Sequence, residues 1–322
     1  MFQNAARIGA AIALCVLASA VNAEAFPDRP INIISPFPPG GATDVITRVV
    51  ADAMSRQLKQ PMIIINKPGG GTTIGAAYVA REKPDGYTLL MATSSTVVAS
   101  RFLYKELRYN PDAFEPVGMV GYAPMIMLTS KKRGFRSTAD LVDYAKQHPG
   151  ALSIASQGTG TLSHLIAECF QATTGTKMVH IPYKGTAEAM PSLINGDVDA
   201  FYDTVGTGMA QVAGGKVDVL NSSGRQRMSA YPQIPTLTEQ GYRDCEVVAW
   251  WSLLAPAGTP SDVVEKLQAA LQFAMRDEAV RRKVLDAGTE PADGLVAGYK
   301  ELVKKDVETT GRLIRQAGVV VQ

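Results

Sequence analysis

Along most of this chain a short β-rich run is followed by a turn and then an amphipathic helix, and that alternation constrains the fold more than any other feature. Ile31, Asn32, Ile33, Ile34 and Ser35 make the first run, and Pro36-Phe37-Pro38-Pro39-Gly40-Gly41 is a turn too rigid and glycine-rich for regular structure. A helix begins near Thr43 or Asp44. Val45, Ile46, Val49, Val50, Ala53, Met54 and Leu58 recur at helical spacing, leaving Arg48, Asp52, Arg56 and Lys59 on the other face. The order repeats with a strand at 62–65, the turn Pro68-Gly69-Gly70-Gly71 and a helix at 73–81; after Pro84-Asp85-Gly86 comes a strand at 87–92. Ser137 and Asp140 cap a helix that stops at Pro149-Gly150. Then follow a strand at 152–156, a turn at 157–161, a helix at 162–173, a strand at 178–181, a helix at 186–194 and a strand at 198–202. Such alternation predicts α/β architecture, with mostly parallel sheets covered by helices on both faces.

At 322 residues the chain has length for about two domains. Its last third offers helices at 261–276, 278–287 and 295–316, and only the run at 247–254, with Trp250 and Trp251, as strand material. Helices without a sheet of their own must pack onto something built earlier. The expected organisation is therefore a discontinuous domain 1 of residues 26–122 and 222–322, with 123–221 inserted as domain 2.

The 32 Lys and Arg against 30 Asp and Glu leave a net charge of +2, too little to hold a polyphosphate through counterion release, so nucleic acid is not an expected partner. The N-terminus reads as a secretory leader over 1–25: a positive start through Arg7, an apolar run at 8–20, and small residues at Val21-Asn22-Ala23. That run falls short of the roughly 20 residues a bilayer span needs. Leu14 stands before Cys15 where a lipid-attachment site wants a small residue, so no lipid anchor is expected. The mature protein is expected to be soluble and periplasmic. Three cysteines build neither a disulfide scaffold nor a four-cysteine zinc site. Cys169 and Cys245 would be able to pair in an oxidising compartment, but their spacing does not require it, and two separately buried thiols is the preferred reading.

Two junctions, at 37–44 and 156–163, place glycines and a Thr or Ser hydroxyl where the carboxyl end of a strand meets a helix N-terminus. The first amides of a helix lack internal partners and carry about half a positive charge, so an anion fits there. Ligands of open α/β sheets also collect outside the carboxyl ends of strands. If the junctions sit in different domains and face one another, one small anion is held by both. The competing reading is that both are ordinary strand–helix turns. Asp44 would repel an anion; it is read as capping its own helix, so that the free amides come from Gly40 to Thr43. Neither turn ends in the Gly-Lys-Ser/Thr of a P-loop, and Gly69-Gly70-Gly71 to Gly75 is not a dinucleotide fingerprint.

Catalytic constellations are missing from the pattern. His148, His164 and His180 are the only histidines. Ser163 and His164 are adjacent on a helix and point about 100° apart, so they are no nucleophile–base pair; His164 reads as a packed helix residue, His148 as a helix end and His180 as a strand residue. No catalytic residue, metal or cofactor is expected. Asp203, placed past a strand end, is a candidate for a ligand's amine or hydroxyl, with a solvated acid the favoured alternative.

Pro36-Phe37-Pro38-Pro39-Gly40-Gly41-Ala42-Thr43-Asp44, Asn66-Lys67-Pro68-Gly69-Gly70-Gly71 with Ile74-Gly75-Ala76, and Pro84-Asp85-Gly86-Tyr87-Thr88-Leu89-Leu90 resemble the solute receptors of tripartite tricarboxylate transporters, the Bug receptors. So do Gly158-Thr159-Gly160-Thr161-Leu162-Ser163-His164-Leu165, Pro182-Tyr183-Lys184-Gly185, Ile234-Pro235-Thr236 and Ala249-Trp250-Trp251, in order across the mature chain. The resemblance implies a type II periplasmic binding fold: two doubly wound α/β domains joined by two crossing strands, closing as a monomer on a small carboxylate for a membrane permease. It implies one jaw of Phe37, Gly40, Gly41, Ala42 and Thr43, a second of Gln157, Gly158, Gly160 and Thr161, and Ser94 on the floor, without an arginine clamp. Val219-Leu220-Asn221-Ser222-Ser223-Gly224 departs from the family's apolar return strand and leaves the second hinge boundary open. A sensor for a membrane signalling partner, or a secreted enzyme on the same scaffold, are the alternative functions.

Overall fold

A computed structural model describes residues 26–228, 230–243 and 245–317; the leader and Cys15 lie outside them. The strands are β1 (Ile31–Ser35), β2 (Met62–Asn66), β3 (Thr88–Thr93), β4 (Phe114–Ser130), β5 (Ser153–Ser156), β6 (Val179–Pro182), β7 (Ala200–Thr204), β8 (Val217–Ser222), β9 (Val248–Pro256) and β10 (Glu290–Pro291). The helices are α1 (Ala42–Leu58), α2 (Thr73–Val79), α3 (Ser100–Leu103), α4 (Thr138–Gln147), α5 (Leu162–Thr174), α6 (Thr186–Asn195), α7 (Val205–Ala213), α8 (Ser261–Arg276), α9 (Glu278–Asp286) and α10 (Tyr299–Ala317).

Hydrogen bonding orders the strands β2-β1-β3-β9-β4-β7-β5-β6, with β8 and β10 also on β4. In β1 the alternation of side chains splits the run between two cores: Ile31 and Ile33 pack with Ile46, Val50 and Met54 of α1, while Ile34 packs with Ala76 and Val79 of α2. The parallel pairings are β1–β2, β1–β3, β5–β6 and β5–β7. The other five are antiparallel, and each involves β4 or β9. The expectation of mostly parallel sheets therefore holds only inside each α/β half and fails at the strands that join the halves.

β4 makes that join. From Phe114 to Pro124 it pairs with β9, and from Met125 onward it pairs with β7 and β8, so one strand serves both halves of a two-domain fold. Sequence pattern assigns nothing to 114–130 because Pro116, Gly118, Gly121 and Pro124 interrupt it. The structure shows what the interruptions do. Register shifts fall between Pro116 and Gly118 and between Met119 and Gly121, and a Cβ on Gly118 would stand 2.2 Å from the Gly294 carbonyl oxygen. Bulges bend the strand, and missing side chains let another backbone lie against it.

α8 and α9 pack on α1, and the Trp250 indole N–H in β9 donates to Asp306 of α10 at 2.7 Å. Cys169 and Cys245 correct the sequence expectation: they form a disulfide, with Cα atoms 5.8 Å apart across 76 residues of sequence. That separation is ordinary for the bond. The fold brings together α5 and the segment leading into β9, a proximity that spacing cannot reveal.

Candidate functional site

The first glycine turn leads into α1, whose N-cap is Gly41, a residue with no side chain to offer its helix. The first amide that reaches back is that of Val45, donating to the Gly41 carbonyl at 3.1 Å. The amides of Ala42, Thr43 and Asp44 precede it and have no carbonyl behind them in the helix. The Asp44 expectation is corrected here. Its carboxylate turns away from the helix amides, accepts from the Gly40 amide at 3.1 Å, and is bound by Arg48 and by Asn66 Nδ2 at 3.0 Å each. Asn66 Nδ2 also donates to the Phe37 carbonyl. Burial alone would raise the Asp44 carboxyl, but the hydrogen bonds from Arg48, Asn66 and Gly40 outweigh it and hold the group below its ordinary value. Its negative charge is thus committed to Arg48, and the acid pins the turn.

The second glycine turn behaves differently. Thr161 is the N-cap of α5, and its hydroxyl accepts from the His164 amide. The Gln157 amide donates to Ser163 Oγ, that of Gly158 to Ser156 Oγ, that of Gly160 to His164 Nδ1, and that of Thr161 to the Gly158 carbonyl. Even the Leu162 amide is used, donating across the cleft to Ser95 Oγ at 2.9 Å. The jaw expected at Gln157, Gly158, Gly160 and Thr161 therefore has local acceptors for all four of those amides, most of them side chains of this hydroxyl-rich turn. Its glycines serve approach instead. Gly160 has φ +83°, and a Cβ there would stand 2.2 Å from the ring of Tyr104, whose hydroxyl donates to the Thr159 carbonyl at 2.7 Å.

Between the halves lies a narrow cavity of about 30 Å³. Of the residues expected at the site, Phe37, Gly41, Ala42, Thr43 and Ser94 line one side and Gln157 the other. The crossing strands supply Met125, Ala249 and Trp251, and the Trp251 indole N–H donates to Thr43 Oγ1 at 2.9 Å. Ser94 is 4% exposed, and its hydroxyl has no hydrogen-bond partner. Gly40 faces a neighbouring groove instead, and Gly158, Gly160, Thr161 and Asp203 are not part of the cavity wall. Among the described residues, no Lys, Arg, His, Asp or Glu lines it.

Sequence reasoning missed Thr186 and Ala187, which line the cavity from the second half. They open α6, whose N-cap is Gly185, again without a side-chain cap. The Glu188 amide is the first to reach Gly185, so the amides of Thr186 and Ala187 have no carbonyl behind them in the helix. A signal was present in the sequence: Gly185, like Gly41, stands at a helix start where Ser, Thr or Asp would have supplied a cap. Two helix N-termini from opposite halves therefore meet at one cavity, each with about half a positive charge.

Asp203 is corrected as well. It lies inside β7, is wholly buried, and accepts from Thr186 Oγ1 at 2.5 Å, Gln157 Nε2 at 2.8 Å and Thr207 Oγ1 at 2.7 Å. Burial pushes its carboxyl up while those donors pull it down, the burial effect prevailing. It is neither solvated nor on the cavity wall: it fixes the two side chains, Thr186 and Gln157, that are. His164 is buried as expected and stacks on His180 with ring centroids 4.1 Å apart.

Residues 46–319 match the profile of the tripartite tricarboxylate transporter family receptor. The protein BugT of Bordetella pertussis is 31% identical over 99% of this chain and 98% of its own. Among solved structures, Rpa4515 of R. palustris with adipate is 28% identical with a TM-score of 0.89, covering 92% of this chain and 100% of that one. MatC from Rhodopseudomonas palustris with bound malate is 30% identical with a TM-score of 0.85, covering 90% and 100%. These relatives are binding proteins and not enzymes, and among the described residues no helix is long and apolar enough to cross a membrane. With a profile match over most of its length and a two-domain fold shared with solute-binding structures, the chain belongs to the tripartite tricarboxylate transporter family of periplasmic receptors.

Proposed function

We propose that this protein, exported through a leader that is then cleaved, captures a small organic carboxylate between its two domains as a monomer and delivers it to the membrane permease of a tripartite transporter. The observation that carries the reading is the unpartnered, buried Ser94 hydroxyl at the same cavity as the uncapped start of α1. A buried hydroxyl without a partner is costly, and an anion held by the Ala42 to Asp44 amides is the acceptor it lacks. The malate and adipate of the two relatives are ligands of this chemistry. In this reading Phe37, Gly41, Ala42, Thr43 and Ser94 hold the ligand from one domain, and Gln157 with the Thr186 and Ala187 amides from the other. Gly158, Gly160 and Thr161 shape the turn that closes over it, and Gly40 and Asp203 position their neighbours.

Capture works through closure. The open form offers one helix N-terminus and the closed form two, so the ligand shifts the population toward closure by the difference in affinity. The bonds from Leu162 to Ser95 and from Tyr104 to Thr159 belong to the closed arrangement. The first crossing lies within β4. We place the second at β9, later than residue 222, because the Ser222–Thr236 bridge and the Cys169–Cys245 bond keep the intervening segment beside the second half. Four to six charge-assisted hydrogen bonds, after association costs, support binding near −8 kcal/mol, a Kd of about 1 μM. Calorimetry of the purified protein with a panel of mono-, di- and tricarboxylates tests this: one acid should bind in that range, and Ser94→Ala should weaken it roughly tenfold or more. No binding of any acid, or an unchanged affinity in Ser94→Ala, overturns the reading.

A further inference from the structure

The narrow cavity continues into a much larger groove of about 770 Å³, with Ala42, Thr186 and Ala187 in the walls of both. The groove's walls come from both halves. Ala42, Val45 and Val49 of α1 recur at i, i+3 and i+7, and Ala187, Met190 and Ile194 of α6 recur the same way, so each helix presents one apolar stripe to it. Ile46, Val50, Ala53 and Met54 make the core face of α1; of the stripe, Ala42 is buried at its edge, Val49 is partly buried against it and Val45 remains 40% exposed. Both stripes begin at the cavity, at Ala42 and Ala187, which are among the residues whose amides the helices leave free, and run outward from it. On the other flank, past Ser94 and Leu162, the cavity borders a groove that carries Arg243 and Arg312. The first groove has Lys283 and Asp286 of α9 in its wall as well, but of the two it is the one with the aliphatic stripes, and that is the side for an apolar body attached to a bound carboxylate.

We infer that the ligand is a carboxylate with an extended apolar body, its head at the helix N-termini and its chain or ring lying between the α1 and α6 stripes. The inference rests on the carboxylate reading above and adds the substrate class. Seven residues of α1 separate Ala42 from Val49, about 10 Å of helix, so the stripe is long enough for a medium-length hydrocarbon chain. Short hydroxylated acids would fill the head site and leave the stripes without a partner. Burial of each further methylene is worth roughly a threefold to fourfold gain in affinity.

Calorimetry on the full mature chain with butanoate, hexanoate and octanoate, and with malate as the short polar arm, tests this. The expected result is a Kd that falls about threefold to fourfold for each added methylene, with octanoate ahead of malate. Val49→Asn and Ile194→Asn, both at partly exposed positions, should each cut the octanoate-to-butanoate affinity ratio at least fivefold. If short acids bind but the series is flat, if malate outruns octanoate, or if the ratio survives both substitutions, the inference is overturned while the carboxylate receptor stands. If none of these acids nor the wider carboxylate panel binds, both fall.

Discussion

The N-terminus of α5 and the N-terminus of α6 sit in the same half of the molecule and differ in one residue type at the cap. α5 begins at Thr161, and its turn holds Ser156, Thr161, Ser163 and His164, each taking up one local amide. α6 begins at Gly185 and leaves the Thr186 and Ala187 amides free at the cavity wall. Glycine richness alone, the feature the α5 turn shares with that of α1, does not make an anion site. A binding turn must also lack side chains able to answer its own amides. Gly41 and Gly185 meet that condition, and the 157–161 turn does not.

The sharpest way to break the contrast is to give α1 the cap that α5 has. Gly41 sits at φ −82° and ψ 169°, a conformation any residue adopts, and the nearest atom to a Cβ there is the Pro38 carbonyl oxygen at 4.0 Å. In Gly41→Asp the carboxylate should cap the free amides and occupy the place of the ligand's own. Ligand affinity should fall more than a hundredfold while thermal stability holds or rises slightly, since Asp is at least as good an N-cap as Gly. The reverse change, Thr161→Ala, should cost about 1 kcal/mol of stability and move affinity less than threefold. A Thr161→Ala variant that loses binding as completely as Gly41→Asp would erase the distinction between the two turns.

Closure gives the next largest effect. In Gly160→Val the new side chain must displace the Tyr104 ring at a position already held at positive φ. Affinity should drop roughly tenfold or more, and small-angle scattering with saturating ligand should report a larger radius of gyration than for the unaltered protein. Equal radii and equal affinity would show that this contact has no part in capture.

How much of this was legible in the sequence depends on whether the signal was local. The β1–turn–α1 unit was, because periodicity, proline and glycine all lie within a few residues of one another. So were Phe37, Gly41, Ala42, Thr43, Ser94 and Gln157 at the cavity, although their resemblance to a family carried part of that reading. β4 was not, since its bulges and glycines answer to Gly294 and β9, far away in the chain. Asp203 looked like a solvated acid because nothing nearby in sequence announces that Thr186 and Gln157 will meet it, and the free amides of α6 have no glycine cluster to mark them, only the single cap residue Gly185.

The disulfide extends the lesson to stability. Cys169 anchors the self-satisfied helix α5 to the segment that enters β9, closing a loop of 76 residues. Loop-closure entropy assigns such a bond about 4.5 kcal/mol, and native disulfides typically contribute about 2–4. Cys169→Ser with Cys245→Ser should lower the unfolding free energy by about that amount in urea titrations, with ligand affinity changed less than threefold because the bond touches neither α1 nor α6. A large loss of affinity at unchanged stability would mean that the bond tunes the hinge instead.

The smallest effect concerns the histidines beneath the same turn. His180 is held down to about 4 by burial first and by the neighbouring His164 second, with Glu168 acting in the opposite direction. An exposed histidine in the unfolded chain titrates near 6.5. Between those two values the unfolded chain binds a proton that the native chain refuses, so stability falls as the pH drops from about 6.5 toward 4 and is level above that window. His180→Gln keeps a polar group beside Ser156 Oγ, which lies 2.7 Å from His180 Nε2, and removes the titration. Melting temperatures of the two proteins across this range should therefore converge in acid, the unaltered protein losing more. Because the ring packs under the 157–161 turn, while α1 and α6 carry the free donors, the acid slope should appear in the melting temperature of the ligand-free protein and be nearly unchanged by saturating ligand. A ligand-dependent slope would place the histidine pair in the binding equilibrium, and the α5 turn would then contribute to capture through its histidines as well as through Gln157 and the closure contact at Gly160.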